Sequence, residues 1–243
     1  MKLLLCENNF AAFLTAIYHY YYFHKDADGI ISDENRVALI DSVISVTTDI
    51  ELARKVKKGL REKLGVRGYR EISDAYLSSN KDKEIILYEF IKLAFAHKYN
   101  VYTMFSEPKV IAFSDMLHKV RAEVHRMHGF IRFQEMENGI YYAFFGTDND
   151  ILELLTPHFA ARFNCQQFVL HDVIRKKMVY YDGERAHLLL APFDIDISLS
   201  EKEALISELW KKYNINVAIA DRKNIRLQNH FAPKKYRWFM NEF

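Results

Sequence analysis

Phe130-Ile131-Arg132-Phe133-Gln134-Glu135-Met136-Glu137-Asn138-Gly139-Ile140-Tyr141-Tyr142-Ala143-Phe144-Phe145 is the stretch on which the fold class turns. Two aromatic-rich runs, Phe130–Glu135 and Ile140–Phe145, flank Asn138-Gly139. That dipeptide readily supplies the positive φ angles of a tight hairpin turn. Downstream, Gln167–Val173, Met178–Tyr181 and Ala186–Leu190 alternate with the turn-like Ile174-Arg175-Lys176 and Asp182-Gly183, the pattern of an antiparallel meander. Hairpin plus meander predicts an antiparallel sheet of about five strands.

Outward from the sheet, the chain reads as helix. Val110, Phe113, Leu117, Val120, Val124 and Met127 recur at three- and four-residue spacing, a buried helical stripe immediately before the hairpin. Earlier helices are expected over about Asp49–Leu64, Tyr69–Ser78 and Lys83–Ala96, and one after Asn8 or Asn9 carries Phe10, Phe13, Leu14, Ile17 and Tyr21. Short strands are expected at Leu3–Cys6 and Val43–Val46. After the hairpin, Thr147 and Asp150 have capping-box spacing, while Pro157 should interrupt the helix so that Thr156 caps a second short one through Phe163. A last helix spans about Ser200–Tyr213. The class is therefore α+β, with several helices packed on the sheet and a helical first half. We expect residues 1–243 to form a single compact domain, divisible into lobes at 1–105 and 106–243.

Half of the 243 residues are hydrophobic and only 8 are Gly and 4 Pro, which excludes a disordered or collagenous chain. The formal charge of +2 announces no partner by itself, so any electrostatic signal must be local. Cys6 and Cys165 are the only cysteines, too few for a disulfide framework, a four-cysteine zinc site or an iron–sulfur cluster. The apolar run at the N-terminus is too short for a secretory leader, and no stretch approaches the ~20 apolar residues of a membrane span. The expected setting is cytoplasmic, without membrane contact.

Chemistry-bearing residues fall into three groups. His118, Arg121, His125 and His128 each follow a core position of the pre-hairpin helix and so line one edge of it. His118 and His125 lie ~10 Å apart along the axis, too far for a shared metal, and we assign no metal or cofactor. His158 and Arg162, four apart, share a face of the short helix, and Arg132 precedes the hairpin. Arg132 and Arg162 either hold an anion bidentately or pair with Asp172. In an enzyme, His158 or His128 would serve as acid/base and Asp172 would orient it. The third group is basic. Eight basic residues face three acidic ones between Asp49 and Arg70, and from Asp221 to Trp238 six face one. The latter cluster places Arg222, Arg226 and Lys234 among Asn224, Gln228, His230, Phe231, Tyr236 and Trp238. Phosphate neutralisers mixed with amides and stacking rings are the composition of nucleic-acid surfaces. No Gly-rich phosphate loop, Gly-x-Ser-x-Gly elbow or His-Glu-x-x-His is present.

His125-Arg126-Met127-His128-Gly129-Phe130-Ile131-Arg132-Phe133, Pro157-His158-Phe159-Ala160-Ala161-Arg162-Phe163, His171-Asp172-Val173-Ile174-Arg175 and the closing Arg222-Lys223-Asn224-Ile225-Arg226-Leu227-Gln228 with Pro233–Trp238 occur in this order. Together with Thr48-Asp49, Ala53 and Val56, they resemble a bacterial family described as "probable DNA metabolism protein". The entry Glu7-Asn8-Asn9-Phe10 departs from the Asp-Gly-Thr/Ser-Phe associated with that family. The tail tryptophan also stands one residue later than the family pattern. Members of the family are typically encoded beside a radical S-adenosylmethionine protein assigned to DNA modification or repair, and some are fused to a uracil-DNA-glycosylase-like domain. The resemblance implies DNA as ligand, that neighbour as partner, and Arg175 among the phosphate-binding residues. A radical S-adenosylmethionine cluster needs at least three cysteines, so two cannot supply it and the cluster would belong to the partner. The expected role is an accessory protein that binds nucleic acid, the partner, or both. The alternatives are a base-excision or hydrolytic enzyme using the His/Arg/Asp residues, and a structural subunit without DNA contact.

Overall fold

Asn9 has extended backbone and its side-chain oxygen accepts the Ala12 N–H at 2.8 Å, which starts helix α1 (Phe10–Tyr22) directly behind strand β1 (Lys2–Cys6). The computed structural model describes all residues except 37–41, 192–197, 220–223 and 241–243. The chain divides into two compact units, Met1–Arg121 and Ala122–Phe243. Among the described residues, no helix is long and apolar enough to cross a membrane.

In the first unit, β1 lies between β2 (Gly29–Ile31) and β3 (Ser42–Val46), parallel to both, with Leu4 opposite Ile30 on one side and Ile44 on the other. Such a fully flanked strand must be apolar, and Leu4 is entirely buried. Phe13, Ala16 and Ile17 of α1 join the same core. Helix α2 (Ile50–Tyr76) begins at Asp49, whose carboxylate accepts the N–H groups of Glu51 and Leu52. Its path breaks at Gly65, where φ is +74°, a conformation that side chains with a Cβ resist. The two expected helices are therefore the two arms of one element bent at Gly65. Helix α3 (Lys83–His97) stacks Phe90 on Phe113 with ring centroids 3.7 Å apart. Phe113 belongs to α4 (Pro108–Phe130).

The second unit holds the five-stranded sheet, in the order β4 (Gln134–Glu135), β5 (Tyr141–Phe145), β6 (Phe168–Asp172), β7 (Lys177–Tyr181) and β8 (Ala186–Leu190). The hairpin forms as expected, with Gly139 at φ +78° and Met136 N–H bonded to Ile140 O. Its first strand is shorter than the sequence indicates, because Phe130 completes α4. The meander β6–β7–β8 is antiparallel throughout.

The sheet as a whole is mixed, which corrects the expectation of a purely antiparallel one. β5 and β6 run parallel, Ala143 opposite Leu170, because α5 (Leu152–Arg162) connects them and carries the chain back along the sheet. α5 is also one helix and not two. Pro157 lies inside it, and the helix continues past it at the cost of the N–H bond toward the Glu153 carbonyl in the first turn. The Thr156 hydroxyl donates to Leu152 O rather than capping a new helix, and the Thr147 hydroxyl donates to Asn149 O rather than forming a capping box. Helices α6 (Glu201–Val217) and α7 (Ile225–Phe231) and a 3-10 segment, Lys234–Phe239, complete the unit. The molecule is thus an α+β protein with a helical first half.

Candidate functional site

In the second unit, α4 and α5 meet at two imidazoles. The rings of His128 and His158 stack with centroids 4.0 Å apart and 18° between planes, over the edge of Phe159. Phe133 seats the same contact from below, packing on Phe159 and Phe163 at 5.1 and 4.8 Å. His128 Nε2 is buried and meets no hydrogen-bond partner among the described residues. Burial, then the positive charge that His158 would carry, then that of His125, hold His128 below the ordinary histidine value of 6.5.

A lowered folded value favours the neutral ring, so this contribution to stability is complete above pH 6.5 and is lost as the solution is acidified below it. In an NMR titration, His128 is expected to titrate below 6.5 in the intact protein and to move upward in His158→Ala; an unmoved midpoint would contradict the coupling.

Four residues beyond each histidine stands an arginine. Arg162 is exposed on α5 and forms no ion pair among the described residues. Arg132 folds back so that Nη1 donates to Gly129 O at 2.7 Å and Ile131 O at 3.3 Å, satisfying carbonyls at the C-terminus of α4. Neither arginine pairs with Asp172, which corrects that alternative. Asp172 is fully buried and accepts from the N–H groups of Ile174 and Arg175 and from Arg175 Nη1 at 2.9 Å. Arg175 also donates to the carbonyls of Thr147 and Asp148. Arg175 is thus a clamp between two loops, and Asp172 holds that clamp rather than a histidine.

The closing motif splits in the same way. Asn224 caps α7 by accepting the Leu227 N–H at 2.9 Å. Arg237 donates to Ala232 O and Asn229 Oδ1, tying the tail to α7. Arg226, Gln228 and Lys234 point outward, and Trp238 is 85% exposed. Arg222 lies outside the described residues.

Beneath the tail is a group that sequence reasoning missed. Glu123 is 1% exposed on α4 and accepts four hydrogen bonds: the N–H groups of Asp148 and Asn149, Asn149 Nδ2 at 2.6 Å and the Tyr236 hydroxyl at 2.6 Å. Burial, and then the Glu123 carboxylate, push the Tyr236 hydroxyl up to about 12. The available signal was spacing. Glu123 lies three residues after Val120 and four before Met127, an acidic side chain on the apolar stripe itself.

Among the described residues, no group of three His, Cys, Asp or Glu side chains could hold a metal ion. The family model for a domain of unknown function, DUF4130, matches residues 81–242, two thirds of the chain. The chain belongs to the DUF4130 family. None of the curated proteins matches it. The DUF4130 match takes in α3 and the second unit up to residue 242, and with it the stacked histidines, the Glu123 network and the closing motif.

Proposed function

We propose that this DUF4130 protein is a nucleic-acid-binding accessory protein of DNA metabolism. The observation that carries the reading is the division of labour in the closing motif. Tyr236 pins the tail to buried Glu123 and Arg237 pins it to α7, while Arg226, Lys234 and Trp238 are left facing solvent, the two cations without an ion pair among the described residues. A rigidly held tail with unneutralised cations and an exposed indole suits phosphate contact and base stacking. The sequence resemblance to the DNA-metabolism group supports the same ligand. It also supports a radical S-adenosylmethionine protein as partner, which would bring the cluster that two cysteines cannot hold.

Salt titration tests the reading. Affinity for a labelled oligonucleotide should fall steeply between 50 and 200 mM salt, by roughly 10³-fold if six phosphates are contacted. Arg226→Ala and Lys234→Ala should each flatten the log–log slope by about 0.7–0.9. Salt-independent binding, or none at low salt, overturns it.

The stacked histidines favour a second reading. A neutral His128, its Nε2 without a partner among the described residues, beside an exposed His158 and Arg162 has the groups for acid/base chemistry with an anion anchor. Turnover of modified oligonucleotides that is lost in folded His158→Ala and Arg162→Ala would establish it; turnover unchanged in both would remove it.

A further inference from the structure

A second surface of the right chemistry lies in the first unit. Between α1, the first arm of α2 and the end of α3 opens a groove of about 510 Å³, within the size range of ligand pockets. Tyr18, Tyr21, Tyr22 and Phe95 form its walls, and Lys55 and Lys63 stand at its rim. Tyr18 and Tyr22 stack at 4.3 Å with 20° between planes, one turn apart on α1, and Tyr22 is 67% exposed. Tyr21 meets Phe95 edge-on at 5.1 Å. The ammonium groups lie over these rings, Lys55 5.6 Å from the centroid of Tyr18 and Lys63 5.2 Å from that of Phe95. Lys55 and Lys63 have no carboxylate partner among the described residues; Lys63 donates to Phe95 O at 3.0 Å.

The positive charge continues along α2. A neighbouring depression of about 480 Å³ is lined by Arg54, Lys57, Lys58, Arg61, Glu62 and Val66. Arg54 is neutralised by Glu51, and Lys58 lies 3.9 Å from Glu62. Lys57 and Arg61 pair with no carboxylate among the described residues, and Lys57 rests over the Tyr69 ring at 5.2 Å. At ~100° per residue Lys57 and Arg61 stand about 160° and 120° around the axis from Lys55, so they face another side of α2, and the cations of the groove itself are Lys55 and Lys63.

We infer that the α1–α2 groove binds a segment of single-stranded nucleic acid, a base lying against Tyr18 and Tyr22 and the adjoining phosphates on Lys55 and Lys63. The inference takes from the proposed function only the ligand class; the site, its strand preference and its residues are new. An aromatic floor would be idle under phosphate alone, and the cations would be costly around an uncharged apolar ligand. A nucleotide unit carries both a π face and an anion, and a duplex keeps its base faces stacked inside. Except for Phe95, the groove lies outside the matched DUF4130 region.

The probes are a labelled oligothymidylate and a blunt hairpin duplex of equal length, titrated against the full chain by fluorescence anisotropy. Two variants disable the groove without altering charge. Tyr22→Ala deletes its exposed ring. Gly59→Leu fills the groove, since a Cβ at Gly59 would sit 3.5 Å from the Phe95 ring, an ordinary contact, with the rest of the side chain entering the space. Each should weaken oligothymidylate binding tenfold or more while leaving the duplex affinity unchanged. Lys55→Ala and Lys63→Ala should each flatten the single-strand salt slope by about 0.7. Tyr22 is exposed, so Tyr22→Ala keeps the test valid even if Gly59→Leu does not fold. If both groove variants bind oligothymidylate as tightly as the parent while Arg226→Ala weakens it, the inference fails and the proposed function stands. If neither probe binds at low salt, both fail. Binding of an acidic amphipathic peptide in the groove, with no oligothymidylate affinity there, also overturns it.

Discussion

Glu123→Ala is expected to destabilise the second unit by about 3–5 kcal/mol, the cost of leaving buried partners of a lost charge unsatisfied. The carboxylate accepts two backbone N–H groups, one side-chain amide and one phenol, so its removal strands four donors at once. An alanine also leaves a cavity too polar to stay dry, and water entering it would recover part of the loss. Glu123→Gln keeps one acceptor oxygen but turns an amide toward donors, and should cost about 2 kcal/mol. Urea unfolding measures both losses, and hydrogen exchange locates them, because the Asp148 and Asn149 amides should lose protection first. The tail should loosen in the same variant, since Tyr236 is 1% exposed and its hydroxyl ends on this carboxylate. Tyr236 adds a pH signature. Its folded value is raised from 10 to about 12, so its contribution is complete below pH 10 and disappears as pH rises through 12. A loss below 1 kcal/mol in Glu123→Ala would show that the network is dispensable.

Residue periodicity made the helices and the hairpin legible because both are local. Asn138-Gly139 needs no distant information to turn, and the stripe from Val110 to Met127 marks a buried face by spacing alone. Non-local relations were not legible. Strand direction between β5 and β6 depends on where α5 returns the chain, which residue patterns in the two strands do not encode. β2 escaped notice because three residues beginning with Gly29 carry no alternation to read. At the candidate site, His128 and His158 lie thirty residues apart; His128 was legible because it follows a core position of α4 and His158 because it shares a helix face with Arg162, while the stacking of the two rings is a non-local fact that neither spacing encodes. Arg175 shows the opposite limit. The resemblance alone places it among phosphate ligands, and nothing local in the sequence foretells the clamp in which its guanidinium donates to the carbonyls of Thr147 and Asp148.

That clamp gives the second large effect. Asp172→Ala should cost about 3 kcal/mol, because a fully buried carboxylate leaves behind two N–H groups of the β6–β7 turn and an arginine. The cost stays below that of an entirely enclosed ion pair, since the Arg175 side chain is 21% exposed and keeps its two carbonyl partners. Asp172→Asn retains an oxygen for the Ile174 and Arg175 amides and should lose about 1–2 kcal/mol, the charge-assisted share. A double-mutant cycle with Arg175→Ala isolates the pair, and its coupling should exceed about 1 kcal/mol for two groups in direct contact. The same variants separate the two readings of this residue. A carboxylate that orients a catalytic histidine would, on replacement by asparagine, abolish turnover. A carboxylate that clamps a turn leaves the His128 titration in place and lowers the unfolding midpoint. The bonds Asp172 makes are all within its own turn and to Arg175, so the second outcome is the expected one.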